Sequence, residues 1–101
     1  ITLDSFMIEH PESSFMLRVK GDSMIDAGIH EGDFVIVERT QEAKPGSIVI
    51  ADIDGAWTMK YLRKNGKQLY LEAGNKKYKD LIPKESLSIA AIVTGVVRKY
   101  G

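Results

Sequence analysis

Two residues far apart in the chain have the chemistry to act together, Ser23 and Lys60. Ser23 lies in KGDSMIDAGIHEGD (residues 20–33), a glycine-bent stretch between two apolar runs, FMLRV and FVIV. Lys60 ends the triplet Thr58-Met59-Lys60, just after the turn dipeptide Asp54-Gly55. A two-residue hairpin loop at that dipeptide sets Ile53 opposite Ala56, Ala51 opposite Thr58 and Val49 opposite Lys60. Side chains alternate along a strand, so Lys60 shares its face with small and aliphatic neighbours. Lysine is rarely buried in such a place. Burial disfavours the ammonium form and lowers the pKa from about 10.4. A drop of about 3 units costs roughly 4 kcal/mol. A neutral amine is a competent general base and can activate a serine hydroxyl without histidine. Each residue also has a plainer reading. Serine is a common turn former, and a strand lysine can snorkel its charge to water. The pair is more informative than either member.

Other chemistries find little support. The chain has no cysteine, which removes thiolate nucleophiles, thiolate metal sites and disulfides. His10 and His30 flank turns, and Asp22, Asp26 and Asp33 are scattered among turns, so the expectation is no metal and no cofactor. Net charge is zero but uneven: residues 1–59 carry 4 basic and 11 acidic groups, residues 60–84 carry 8 basic and 2 acidic. No aromatic-interleaved binding motif accompanies the basic stretch, which is read as a solvated face rather than a nucleic-acid site. No segment is long and apolar enough to span a membrane, so the expectation is no membrane and a cytoplasmic protein.

The elements that must position the pair are strands. Phe15–Lys20, Phe34–Glu38, Ser47–Ile53, Ala56–Leu62, Gln68–Glu72 and Ser88–Val97 are short and rich in β-branched and aromatic residues. Asp54-Gly55 and Asn65-Gly66 mark hairpin turns. No long helical period is present, and the best helical candidate is a turn or two near Ser23 to Ala27. The expected fold is mainly β, with strongly bent antiparallel sheets forming a partly closed barrel. Residues 1–14 read as an extended arm from an upstream segment, and residues 15–101 as a single β domain.

GDSM at 21–24, GIHEGD at 28–33 and TMK at 58–60 together resemble the LexA/UmuD family of self-cleaving serine peptidases. The resemblance runs in order from about Ile8 to Lys99, and the separation of 60 − 23 = 37 residues matches the family's layout. It implies that Ser23 is the nucleophile, Lys60 the general base and Thr58 an orienting hydroxyl. It also implies an oxyanion hole from the main-chain N–H groups of Asp22 and Ser23, with Gly21 allowing close approach of the substrate. Family members cut a small-residue–Gly bond N-terminal to the serine, mainly within their own chain, after docking on RecA filaments. No such bond precedes Ser23 here, and the two Ala-Gly pairs, Ala27-Gly28 and Ala73-Gly74, lie downstream.

Three functions follow as expectations. The first is the C-terminal peptidase and dimerisation domain of a LexA-type repressor of the DNA-damage response, meeting DNA only through an upstream domain. The second is a processed UmuD-type subunit that binds a translesion polymerase. The third is a catalytically silent β-barrel binding module. The apolar run at residues 88–97 suggests a homodimer in which Val93 to Lys99 pairs with its copy across a two-fold axis. The alternative is a strand interior to its own sheet.

Overall fold

The computed structural model describes residues 1–101. Six strands form one antiparallel sheet in the order β1-β2-β6-β3-β4-β5. They are β1 (Ser14–Arg18), β2 (Phe34–Arg39), β3 (Ile48–Ile53), β4 (Ala56–Asn65), β5 (Gln68–Glu72) and β6 (Leu87–Val97). All six expected strands are present. The edges β1 and β5 are not paired with each other, so the sheet stays open. Register shifts between Ile36 and Val37 and between Ile50 and Ala51 mark bulges, which bend a sheet locally.

The Asp54-Gly55 hairpin has the expected register. Ile53 pairs with Ala56, Ala51 with Thr58 and Val49 with Lys60. Both loop residues have positive φ, 50° and 89°, as a tight primed turn requires. The second hairpin is displaced by one residue. Asn65 pairs with Gln68, so the loop is Gly66-Lys67 rather than Asn65-Gly66. Only Gly66 there takes positive φ, which places glycine at the first loop position.

Burial divides into two clusters. Val19, Met24, Ile29, Val35, Val37 and Ala91 form one, beneath the Ser23 loop. Val49, Ala51, Ile53, Leu62 and Leu71 form the other, around the β3–β4 hairpin. Fully burying a side chain such as Leu62 or Leu71 contributes about 1.5–3 kcal/mol. The N-terminal arm differs from the extended expectation. It carries a short helix α1 (Leu3–Met7), capped by a reciprocal Thr2–Ser5 box, and a 3-10 turn at Pro11–Ser13. The missing cue was Thr2, an N-cap residue three positions before Ser5. Met7 lies over Gly95, where an added Cβ would come within 2.7 Å of its Cε.

Strand β6 is interior, between β2 and β3. Residues 87–92 pair with β3, whereas residues 93–97 pair only with β2. The second half of β6 therefore keeps one open backbone edge. This explains why its sequence is apolar on both faces without being an edge strand throughout.

Candidate active site

The loop carrying Ser23 is built to be rigid. Val19 N–H donates to Asp33 O at 2.8 Å and Gly32 N–H donates to Val19 O at 3.0 Å, closing the loop at its neck. Met24 (2% exposed) and Ile29 (1%) drive its middle into the core. A 3-10 turn at Ile25–Ala27 follows the serine, as the sequence suggested. Gly21 has φ of 79°, a conformation strained for any residue with a Cβ, and donates its N–H to Glu31 Oε1 at 2.8 Å. Ser23 is left half-buried beside the fully anchored Met24.

Lys60 reaches it from β4. Its side chain is 9% exposed. Lys60 Nζ lies 3.1 Å from Ser23 Oγ, 2.5 Å from Thr58 Oγ1 and 3.2 Å from Met59 O. No carboxylate forms an ion pair with it. Burial without a counter-charge pushes the amine below the ordinary lysine value. The count of hydrogen-bonding groups is instructive. An ammonium has three protons, and three oxygens are in reach. A neutral amine has two protons and one lone pair. As an ammonium, Lys60 can donate to all three oxygens; as a neutral amine it donates to Met59 O and has one further N–H and a lone pair to share between the Thr58 and Ser23 hydroxyls.

The Asp22 and Ser23 N–H groups donate to no protein acceptor. The turn is instead held through acceptors and side chains by the segment after β5. Asn75 Nδ2 donates to Asp22 O at 2.9 Å, Lys77 Nζ lies 2.7 Å from Asp22 Oδ2, and the Tyr78 hydroxyl donates to Asp22 Oδ1. The Lys77 and Tyr78 bonds hold the Asp22 carboxyl below its usual range. Asp26 N–H donates to Gly74 O at 2.7 Å, and Gly74 N–H to Met24 Sδ at 3.2 Å. A Cβ at Gly74 would meet Met24 Cα at 3.3 Å, so Ala73-Gly74 is a packing contact.

A second tether binds the far end of the loop. Arg98 Nε and Nη2 donate to Asp33 Oδ1 and Oδ2, both at 2.7 Å, while His30 N–H donates to Asp33 Oδ2 at 2.8 Å. The guanidinium, then the His30 amide, hold the Asp33 carboxyl far below the carboxylate range. Arg98 also donates to Gly28 O at 2.9 Å.

Geometry thus brings together Ser23, Lys60, Thr58, Asp22 and Gly21, all singled out in the sequence. Asn75, Lys77, Tyr78, Glu31 and the Asp33–Arg98 pair were not. Asp33 read as a turn residue because its partner lies 65 positions away. The lysines near Tyr78 read as a charge run. His10 and His30 are both exposed and lie outside the cluster.

Comparison with known proteins gives the family of the chain. Residues 1–97 match the family described as Peptidase S24-like. The LexA repressor of Shewanella woodyi is 40% identical over 92 residues, covering 88% of this chain and 45% of that protein. The LexA repressors of Shewanella oneidensis and Shewanella loihica are each 41% identical, over 92 and 91 residues. The chain therefore spans about 45% of the length of the curated relatives it matches. With a family match over nearly its full length and relatives of this similarity, the chain belongs to the Peptidase S24-like family, in the LexA/UmuD line.

Proposed function

We propose that this chain is the autoproteolytic Ser-Lys peptidase and dimerisation domain of a LexA-type repressor. One observation carries the reading: a buried lysine amine, without a counter-ion, 3.1 Å from the hydroxyl of a serine in a rigid turn. In this mechanism neutral Lys60 takes the Ser23 proton as Oγ attacks the scissile carbonyl. The Asp22 and Ser23 N–H groups receive the developing oxyanion. The Lys60 ammonium then protonates the departing amine, and water, activated by the same amine, releases the acyl group. Thr58 holds Nζ so that its lone pair stays on Ser23.

The conformation of the substrate follows from backbone geometry, and its small-residue–Gly bond from the family resemblance. In a two-residue hairpin the residues flanking the loop exchange both hydrogen bonds. Ala56, Thr58 and Lys60 therefore turn their N–H and C=O groups toward β3, and Trp57 and Met59 turn theirs away. Strand β5 pairs only with Tyr61 to Asn65, so the outer edge at residues 56–60 is open. An extended peptide added there lies alongside Lys60. A small-residue–Gly bond, in a segment outside this chain, is the proposed target, cut when RecA filaments dock. DNA is met only through such an outside segment. The matched relatives are repressors by name, which favours this branch over the translesion mutagenesis subunit. Residues 1–14 serve as the connecting arm and residues 15–101 as the working domain. The open edge at residues 93–97 is the proposed dimer seam, joined in antiparallel register.

The deciding experiment offers the domain a peptide with one Ala-Gly bond and follows cleavage by mass spectrometry. Slow cleavage lost in both Ser23→Ala and Lys60→Ala supports the reading. Undiminished cleavage by Lys60→Ala would sink it. Sedimentation as a monomer at high concentration would remove the dimer alone.

A further inference from the structure

The Asp22 carboxylate stands one residue from the nucleophile, and in that place it is a liability. An aspartate in a turn ordinarily bends back to accept N–H groups within one to three residues of itself. Of the N–H groups in that range, that of Ser23 is one of the two an oxyanion needs. A free negative charge beside Ser23 also opposes a developing oxyanion and favours the protonated form of Lys60. Neither happens in this fold, because both carboxylate oxygens are turned outward. Oδ2 meets Lys77 Nζ at 2.7 Å and Oδ1 accepts from the Tyr78 hydroxyl. Asn75 fixes the carbonyl of the same residue at 2.9 Å. The three side chains lie within four consecutive positions, 75–78, of the segment that follows β5. Tyr78 N–H donates to Asn75 O at 3.1 Å and Lys77 N–H to Asn75 Oδ1 at 3.2 Å, so the segment is itself a closed turn.

We propose that Lys77 and Tyr78 are positioning residues for the Ser23 nucleophile: they hold the Asp22 carboxylate out of the turn, leaving the Asp22 and Ser23 N–H groups free to bind the oxyanion. This rests on the Ser23–Lys60 reading and adds a substrate-free element to it. The charged and titratable groups around the turn are few. Lys77 and Tyr78 face it from the segment after β5, Glu31 from its own loop through Gly21 N–H, and Lys60 from β4. Hydrogen bonding to Asp22 raises both Lys77 and Tyr78 above their ordinary values, so both stay protonated through neutral pH.

The test uses the 101-residue chain and a fluorophosphonate, which phosphonylates a reactive serine Oγ with loss of fluoride. The readout is the labelling rate at Ser23 as a function of pH. Tyr78→Phe and Lys77→Met are expected to slow labelling by about tenfold or more, in the range of a weakened oxyanion site. Lys77→Met also moves the pH midpoint to the alkaline side, because the uncompensated carboxylate favours the Lys60 ammonium. Lys77→Arg keeps the charge and restores the wild-type midpoint. The decisive arm is suppression: in an Asp22→Asn background, Tyr78→Phe costs little, because the charge needing restraint is gone. An equal loss with and without Asp22→Asn would mean that Tyr78 only supports the fold, and would overturn the proposal. Wild-type rates in folded Tyr78→Phe and Lys77→Met would also overturn it, leaving the dyad standing. A wild-type chain that is not labelled at Ser23 would remove the dyad, and the proposal with it.

Discussion

Two charged residues are buried in this small domain, and they meet opposite fates. Asp33 is 3% exposed and Lys60 is 9% exposed. Asp33 is met by a guanidinium fork and a backbone amide, so its carboxylate is held ionised. Lys60 is met by two hydroxyls and a carbonyl but no opposite charge, so its ammonium is disfavoured. Burial alone does not decide what a group does. A matched charge becomes a structural tether, here joining the end of β6 to the Ser23 loop. An unmatched one is left with its neutral form favoured, the state that the proposed base needs, at a cost to stability.

The largest expected effects fall on the unmatched member. Ser23→Ala removes cleavage altogether, and Lys60→Met lowers it by roughly 10²–10⁴-fold, the range of a lost general base. The same Lys60→Met chain should melt at a higher temperature than wild type near neutral pH. It replaces a desolvated amine by an apolar stem of similar length. A calorimetric scan of both variants checks this. A lower melting temperature for Lys60→Met would mean that its hydrogen bonds outweigh its desolvation, which breaks the comparison.

The matched member should respond in the other direction. Asp33→Asn leaves Arg98 with a neutral partner and is expected to lower the melting temperature by several degrees. Ser23 reactivity should fall only as far as the loop loosens. Thermal melts and labelling rates on one preparation separate the two. If Asp33→Asn silences Ser23 at unchanged melting temperature, the tether is part of the chemistry and the division drawn above fails.

The strands were legible because each is short, β-branched and bounded by turn residues. The Lys60 register was legible because Asp54-Gly55 fixes a two-residue loop. What escaped notice depends on pairing at long range. Nothing near Asp33 marks Arg98 as its partner, and nothing in the lysine-rich run at 76–79 says that Lys77 and Tyr78 close on Asp22. Strand β6 was equally opaque. Apolar residues on both faces describe an interior strand and a dimer edge alike, and β6 pairs with β3 at its start, with both neighbours only at Ala91 and Ile92, and with β2 alone from Val93 on.

The pH dependence of stability should show the same opposition. Asp33 and Asp54 have folded pKa values below their unfolded ones, through Arg98 in the first case and the Lys84, Glu85 and Ser86 amides in the second. Their stabilisation is complete above the unfolded carboxylate value of about 3.9 and is lost as pH falls below it. Lys60 is lowered as a cation, so the unfolded chain binds its proton more tightly. Its penalty is full below the folded pKa and disappears as pH rises toward about 10.4. The stability advantage of Lys60→Met should therefore shrink on the alkaline side. Denaturant melts of both proteins at several pH values measure it. An advantage independent of pH would show that packing, not desolvation, is its source.

The smallest effect is expected at Thr58, and it asks what polar neighbours do for a cation without a counter-charge. Thr58 Oγ1 lies 2.5 Å from Lys60 Nζ and accepts from it in either protonation state, more strongly from the ammonium. Thr58→Val keeps the branched shape and removes that acceptor. The charged form loses more than the neutral form, so the pH midpoint of Ser23 labelling should move to the acid side. This is opposite in sign to the shift expected for Lys77→Met. The limiting rate should fall by about tenfold or less, since the amine is still held by Met59 O but its lone pair is less well aimed. An alkaline shift would mean that the hydroxyl donates to the amine rather than accepting from it. The lone pair would then face Thr58 in the resting state, and Ser23 would be activated only after that bond is broken.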